Sequence, residues 1–211
     1  MPFDMEINEK ERYMQINDYF PKSGAEFTAF WANLAAGYSG YAVFFCYHGT
    51  EPPAAFLDSI GARLADDCVR AAVTPEGFSP GGSAGAVRVS EANFDEFALL
   101  HDKRSAGMYW TGARLRERLD AWAVFLLGGG YVMMSLAHGA EVFALAAEND
   151  ADARGLLSAA VQAAFAAGQE SVLFMIDAAD VLQRDAAEAV GFVTGGFYRG
   201  YEAIVCLPSA T

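Results

Sequence analysis

The sequence predicts an α/β protein built on a mixed sheet, with a full domain over residues 86–205 and a partial helix-strand-helix-strand unit over residues 1–80. Three observations predict it. Apolar runs of strand length alternate with segments of helical periodicity. Three consecutive strand-like runs precede a helix-strand-helix-strand series, which is typical of a mixed sheet. A stretch rich in glycine and proline separates the two parts.

Composition and charge restrict the possible functions. The 211 residues are 54% hydrophobic, which is enough for a substantial core. A net charge of −13 repels phosphate backbones and anionic lipids, so we expect neither nucleic-acid nor membrane binding. No apolar run reaches the roughly 18 uncharged residues of a membrane span. The polar, acidic N-terminus is unlike a signal or transit peptide, which indicates a cytoplasmic protein.

The cysteine and histidine residues predict reduced thiols and no metal site. The three cysteines form no CxxC pair and no even set, as is usual for a reducing compartment. The three histidines are scattered along the chain without the spacing of metal ligands.

The N-terminal part predicts two helices and two strands. Residues 25–36 repeat aromatic and apolar side chains at helical spacing. The aromatic run at residues 41–47 predicts a buried strand. Residues 52–66 predict a helix with Pro53 near its first turn, and residues 68–73 predict another strand.

Two glycine-rich stretches predict breaks in the regular structure. Residues 74–85 hold two prolines and four glycines without apolar periodicity, which indicates a linker. Residues 127–130, with the sequence LGGG, lie between two apolar runs and predict a hairpin turn.

The C-terminal part predicts a longer series of elements. Ser90 is placed to cap a helix, because acidic residues follow it in the first turn. Trp110 and Trp122 are candidates to line a pocket, although tryptophans at such positions are usually core residues. The predicted elements are a strand at 86–89, helices at 90–101 and 109–119, strands at 121–127, 131–137 and 140–146, a helix at 152–167, a strand at 171–176, a helix at 178–190 and a final strand or strand pair at 192–205.

The two parts share an internal similarity. Both contain a helix, an apolar strand, a second helix and a small-residue turn. Val43 and Gly61 are separated by 18 positions, and Val172 and Gly191 by 19. Helix-strand-helix units are common, so the similarity is explained either by duplication or by chance. A duplication would make the N-terminal part a half-copy of the domain that follows.

The element order and the ending AAEAVGF at residues 186–192 resemble the GNAT superfamily of N-acetyltransferases. The resemblance covers roughly residues 86–205. It implies a GNAT-like acyl-CoA N-acyltransferase fold, acetyl-CoA as co-substrate and an amine as acceptor. It also implies direct transfer of the acetyl group in a ternary complex, without a covalent enzyme intermediate.

The family's cofactor loop, Q/R-x-x-G-x-G/A, corresponds here to residues 148–153, with the sequence ENDADA. Alanine stands at both glycine positions. Three acids lie where the resemblance implies that a pyrophosphate meets a helix N-terminus. An alternative is that these residues simply cap the helix. The positions that the resemblance assigns to the cofactor are Leu145, Ala146, Ala147, Asp150, Ala151, Asp152, Ala153 and Arg154.

The resemblance also assigns catalytic residues. Glu141, in the sequence AEV, matches the strand glutamate that serves several family members as general base, and burial would raise its pKa toward a useful range. Alternatively, Glu141 lies exposed at the strand's start. Ala187 stands where the family often places a tyrosine that acts as general acid. Tyr198 and Tyr201 are possible substitutes, or half-buried strand residues.

These observations predict an N-acetyltransferase that acts on a small-molecule or protein amine. The alternative is a GNAT-like binding or assembly module that has lost catalysis, as the acidic loop and the missing tyrosine suggest. The acidic surface would suit a cationic acceptor such as a polyamine, an aminoglycoside or a lysine side chain. The N-terminal part could pack against the second domain or support a homodimer.

Overall fold

The computed structural model describes residues 4–82, 84–106, 110–137 and 139–206. Contacts divide the chain into two compact units. Unit 1 comprises residues 1–68 and 196–211, and unit 2 comprises residues 69–195. Two long strands contribute residues to both units. The described residues form a mixed α/β structure, so the predicted fold class is confirmed.

Unit 1 has the strand order β1-β2-β3-β10-β4. Strands β1 and β2 form an antiparallel hairpin, β2 and β3 are parallel, and β10 is antiparallel to β3. Its elements are β1 (Asp4–Asn8), β2 (Tyr13–Asn17), α1 (Gly24–Tyr38), β3 (Ala42–His48), α2 (Ala54–Ser59), β4 (Arg63–Val73, to residue 68 in this unit) and β10 (Val193–Ile204, from residue 196 in this unit).

The core of unit 1 follows the alternation of its strands. Met14 and Ile16 of β2 are fully buried and pack with Phe45 and Tyr47 of β3. Trp31, on the apolar side of α1, packs in the same core. Alternate residues of β2 and β3 therefore point to one face of the sheet, where they contact the apolar side of α1.

Two predictions for this unit are corrected. The helix predicted over residues 52–66 ends at Ser59, because Gly61 turns the chain with a φ of +66°. The following residues form β4, which starts at Arg63 and is longer than the strand predicted at 68–73. The β1–β2 hairpin was not predicted, because β1 is short, polar and exposed.

Unit 2 has the strand order β4-β9-β8-β7-β6-β5. Strands β8 and β9 are parallel, and the neighbours from β5 to β8 are antiparallel. Besides residues 69–73 of β4, its elements are β5 (Val87–Arg88), α3 (Phe94–Arg104), α4 (Gly112–Arg116), a 3₁₀ turn (Leu119–Ala121), β6 (Trp122–Leu127), β7 (Gly130–Ser135), β8 (Ala140–Ala146), α5 (Asp150–Ala166), β9 (Val172–Asp177) and α6 (Val181–Val190).

Each face of the unit 2 sheet has its own core. Helices α5 and α6 cover one face, where they pack on side chains such as Phe125 and Val142. Helices α3 and α4 cover the other face, where they pack on Trp122, Val124 and Met133. The alternation along β6 thus sends neighbouring side chains into different cores.

Several element boundaries in unit 2 differ from prediction. Helix α3 begins at Phe94 rather than after Ser90, because the Asn93 side chain accepts a hydrogen bond from the Ser90 amide at 2.7 Å and forms a turn there. The helix predicted at 109–119 is shortened to α4 and a 3₁₀ turn, and Tyr109 lies outside the described residues.

Ser79 and Gly81, from the segment predicted as a linker, pack within unit 2. The Ser79 amide donates to the Val190 carbonyl at 2.9 Å. The Gly81 amide donates to the buried Ser158 hydroxyl at 2.8 Å. Glycine at position 81 allows this close approach, because a Cβ there would lie 3.2 Å from the Ser158 hydroxyl. The assignment of residues 1–80 and 86–205 to two related parts stays a prediction.

Within the described ranges, no helix combines the length and the apolar character needed to cross a bilayer.

Candidate active site

Strands β8 and β9 separate from each other part-way along their length. Their parallel pairing covers residues 140–142 of β8 and residues 172–174 of β9. Strand β8 continues to Ala146 and β9 to Asp177, and no further register between the two is present in these described residues. Backbone groups on this edge of β8 are therefore free to meet another group. The gap leads toward the start of α5, because β8 runs directly into the loop before that helix.

One side chain already enters this gap. The Gln183 amide, in the first turn of α6, donates to the Leu145 carbonyl at 3.0 Å. A carbonyl oxygen has two lone pairs, so this bond leaves capacity for a second donor. Gln183 therefore holds one backbone acceptor on this edge of β8.

A β-bulge lies beside the gap. Met133 is opposite Ala144 and Met134 is opposite Val142, so Phe143 has no partner residue on β7. A bulge bends its strand and redirects side chains, and bulges often lie next to active sites.

Glu141 lies on the sheet face that α3 and α4 cover. Trp122 is opposite Ser135, and Ser135 is opposite Glu141, so these three side chains form one row across β6, β7 and β8. Trp122 belongs to the α3-side core, which fixes the face of the whole row.

The environment of Glu141 suits a proton acceptor. The side chain is half-buried, and this desolvation raises the pKa of its carboxyl group above the ordinary value. Among the described residues, no cation or hydrogen-bond donor pairs with it. A carboxylate with a raised pKa and no partner is a functional-site candidate.

Three aromatic rings, which we call the aromatic wall, lie on the same face. They belong to Trp110, Trp122 and Phe143. The Trp110 and Trp122 ring centroids are 5.1 Å apart, and those of Trp122 and Phe143 are 5.2 Å apart. Both pairs are edge-to-face. Trp122 is buried, whereas Phe143 is 40% exposed, so the wall runs from the core to an accessible ring.

A buried polar network fixes the inner end of this wall. His101 is fully buried. Its Nε2 lies 2.6 Å from the Trp110 carbonyl and must donate, because a carbonyl only accepts. In the neutral ring, Nδ1 then accepts from the Tyr131 hydroxyl at 3.0 Å. Ser105 Oγ lies 3.0 Å from the same hydroxyl.

Tyr131→Phe should lower the free energy of unfolding by about 1–3 kcal/mol, because it leaves the buried Nδ1 of His101 without a donor. Urea unfolding followed by circular dichroism measures the change. Ser105→Ala is the matched control and should cost less, since His101 keeps both of its partners. Equal stability of wild type and Tyr131→Phe would contradict the proposed direction of this hydrogen bond.

The start of α5 is satisfied by its own side chains. The Asn149 side chain caps the helix, accepting from the Asp152 amide at 2.9 Å, and donates to the Asp152 carboxylate at 2.7 Å. Asp150 pairs with Arg154 at 2.6 Å. These contacts agree with the prediction that the segment caps the helix. They leave open a further role in ligand binding.

Charge around this helix start is unfavourable for an anion. Arg104 pairs with Glu148 at 3.4 Å, and Arg154 pairs with Asp150, so both cations already have acidic partners. A methyl group added to Gly128 would overlap the Asp152 carboxylate, which shows how closely the β6–β7 turn packs on α5. The acidic helix start is therefore a poor match for a pyrophosphate or another anion.

The remaining predicted residues are placed as follows. Leu145 is buried on the α5 side, Ala146 packs on the α3 side, and Ala147 packs at the edge of the α5-side core. Ala153 is fully buried and Ala151 is exposed in the first turns of α5. Their cofactor roles stay predictions.

Tyr198 belongs to unit 1, whereas Glu141 belongs to unit 2. The Tyr198 hydroxyl lies 3.4 Å from Cys46 Sγ. Burial, and in second place the neighbouring thiol, raises the pKa of Tyr198 well above the ordinary value. The phenol is therefore neutral, and the raised pKa makes it a weaker proton donor than an ordinary tyrosine. Its role as general acid stays a prediction.

No group of three or more metal-ligating side chains occurs in the part of the chain that the structure describes.

Several solved structures with a similar fold are GCN5-related N-acetyltransferases. A GCN5-related N-acetyltransferase from Sphaerobacter thermophilus matches with a TM-score of 0.68 at 13% identity, covering 99% of this chain and 78% of that chain. The chain has the GNAT fold. A second match, the GCN5-related N-acetyltransferase from Kribbella flavida, has a TM-score of 0.62 at 15% identity and covers 90% of this chain and 80% of that chain.

A tandem GNAT protein from the clavulanic acid biosynthesis pathway also matches. Its TM-score is 0.61 at 13% identity, with 99% of this chain and 79% of that chain covered. No family model matches the sequence, and no curated protein matches it significantly. At these identities the comparisons establish the GNAT fold, as predicted, and function must be argued from the site.

Sequence reasoning missed three parts of this candidate site. Gln183 reaches a carbonyl 38 positions away, and no local pattern indicates this. The partners His101 and Tyr131 are 30 positions apart. Phe143 could be predicted from the sequence, because it lies two residues after Glu141 and shares its face of the strand.

Proposed function

We propose that this GNAT protein transfers an acetyl group from acetyl-CoA to an amine. The supporting observation is the separation of β8 from β9 directly beyond Glu141. This gap offers free backbone groups for an extended thioester arm, and a half-buried carboxylate lies on the strand that borders it.

Acetyl-CoA would supply the acetyl group as a thioester. Glu141 would accept the proton of the attacking ammonium, directly or through one water. The amine nitrogen then bonds to the acetyl carbon while the carbon–sulfur bond breaks and the thiolate leaves. The nitrogen loses its second proton to water as the amide forms, and the thiolate takes a proton from water or from a tyrosine, for which Tyr198 is our candidate. A thiolate is a good leaving group, so this last proton transfer contributes little to the rate.

The cofactor roles proposed for the β8–α5 segment follow from its backbone. Leu145 and Ala147 would offer backbone groups to the extended arm at the free edge of β8, and Ala146 would lie between them with its backbone directed at β7. Gln183 would share the Leu145 carbonyl with the arm or rotate away from it. Residues 150–154 would lie closest to the diphosphate, with Arg154 as the nearby cation.

A GNAT-like binding module without catalysis is the second candidate. The observation that favours it is the acidic, self-capped start of α5, which opposes diphosphate binding. Both candidates allow a small-molecule or protein amine as ligand, a cytoplasmic location and a homodimer, and these remain proposals.

We also propose that unit 1 derives from a half-copy of the GNAT domain. The order β1-β2-α1-β3-α2-β4 parallels β7-β8-α5-β9-α6-β10. In each series the first two strands form an antiparallel pair, and the second and third are parallel across a helix. Strands β2 and β3 stay paired over five residues, so they offer no gap like that between β8 and β9.

Acetyl-CoA at millimolar concentration should raise the melting temperature, since a ligand that binds only the folded state stabilises it, by about 2.7 kcal/mol at 100 times Kd. Asp150→Asn should enlarge this shift, because it removes one acid and releases Arg154. Differential scanning fluorimetry measures both. Glu170→Gln, beyond the far end of α5, is the matched control and should behave as wild type. If neither wild type nor Asp150→Asn responds, the binding module is favoured.

A further inference from the structure

The chemistry of the face around Glu141 points to a particular class of amine. Its features are one carboxylate, the Ser135 hydroxyl in the same row and the three rings of the aromatic wall. The whole chain is strongly acidic, but this row carries a single acid. Within this row, one charged group therefore lies beside aromatic side chains.

A polycation is a poor match for such a surface. A polyamine or an aminoglycoside gains affinity from several carboxylates spaced along its length, whereas Glu141 offers one. An aromatic surface gains affinity from apolar contact, edge-to-face stacking and attraction to one nearby ammonium group. One acid beside three rings suits a ligand with one amine and an apolar body.

We propose that the acceptor is a primary monoamine with an aromatic or bulky apolar body. Its nitrogen would meet Glu141, and its body would pack on Phe143 at the accessible end of the aromatic wall. This inference rests on the proposed acetyl transfer and names the acceptor of that same site.

The architecture of the wall supports a binding role for Phe143. Its ring is held edge-on against the buried Trp122, so its orientation is restricted although 40% of the residue is exposed. The bulge removes Phe143 from the pairing with β7. An ordered, accessible ring loses little conformational entropy when a ligand packs on it.

His101 acts as a positioning residue for the wall. It binds the backbone carbonyl of Trp110, whose indole packs edge-to-face with Trp122. The buried bond to Tyr131 restricts the histidine itself. The chain of contacts runs from the core through two tryptophans to the accessible ring, and it needs no charged group.

The test compares 2-phenylethylamine, spermidine and methylamine as acceptors. Calorimetry gives Kd for each amine with and without coenzyme A, and thiol release from acetyl-CoA gives kcat and KM. We expect 2-phenylethylamine to bind at least about tenfold more tightly than methylamine, a difference of about 1.4 kcal/mol. Phe143→Ala should weaken its binding by about tenfold and affect methylamine less. Phe143→Leu should restore part of the loss.

Leu99→Ala is the matched control, because it removes a large apolar side chain that is 77% exposed on α3. It should leave all three affinities unchanged. Tighter binding of spermidine, or no response of 2-phenylethylamine binding to Phe143→Ala, would overturn the inference while leaving acetyl transfer intact. Binding that depends on Phe143 without thiol release would support the acceptor class and overturn the proposed activity instead.

Discussion

Glu141→Gln is expected to lower kcat by roughly 100-fold or more, with a smaller change in KM for acetyl-CoA, since general-base catalysis contributes about that factor. Glutamine keeps the size of the side chain but cannot take the proton. The measurement is thiol release at saturating acetyl-CoA with the best acceptor found. Glu170→Gln is the matched control, because it removes an exposed acid beyond the far end of α5.

The pH dependence gives an independent check on the same residue. Glu141 must be ionised to act as base, so wild-type kcat should fall as the pH drops through its raised pKa. This fall should begin at a higher pH than the ordinary glutamate value permits. The residual activity of Glu141→Gln should not show this fall at low pH. A variant with wild-type activity and the same pH profile would eliminate Glu141 as base and leave the fold assignment unaffected.

Stability should depend on pH through Glu141 with a defined sign. Burial raises its pKa in the folded state, so folding favours the protonated form. The folded state is therefore relatively more stable below the ordinary glutamate pKa, and this advantage is lost as the pH rises through the folded-state value. Glu141→Gln should consequently be at least as stable as wild type at neutral pH, which separates lost catalysis from lost folding.

Gly191→Ala is expected to produce the largest loss of stability, about 3 kcal/mol or more. Gly191 ends α6 in the left-handed region with a φ of +99°. An added Cβ would also overlap the Gly77 carbonyl oxygen, which is backbone and has little freedom to move away. Strain and steric overlap therefore act together. Urea unfolding of unliganded protein measures the effect.

Gly195→Ala provides the control for this substitution. Gly195 lies in β10, its φ is not positive, and no atom lies within 4 Å of the position that a Cβ would take. Its replacement should change the unfolding free energy by less than about 1 kcal/mol. A Gly191→Ala protein as stable as the Gly195→Ala protein would show that the turn after α6 can relax, contrary to the packing described above.

Much of the site was predictable because it depends on local sequence. The context of Glu141 in an apolar strand predicted a half-buried carboxylate, and the structure places it so. The acids of residues 148–153 predicted a capped helix start, and Asn149 and Asp152 form that cap. Each of these features depends on side chains within a few positions of one another.

Other parts required the folded chain. The assignment of residues 52–66 to one helix was wrong because β4 gains its hydrogen bonds from a neighbouring strand far along the chain. Ser79 and Gly81 of the apparent linker hydrogen-bond to Val190 and Ser158, which the composition of the segment does not indicate. The bulge at Phe143 depends on the register between β7 and β8.

The sequence by itself determined the mixed α/β class, the strand-like apolar runs and the glycine turn after α6, because hydrophobic periodicity and glycine's conformational freedom act locally. Only the tertiary structure decided that β8 and β9 separate beyond Glu141, that Gln183 reaches into their gap and that three aromatic rings meet on the face of Glu141. These features depend on strand register and on pairs of residues distant in sequence, which local patterns do not specify.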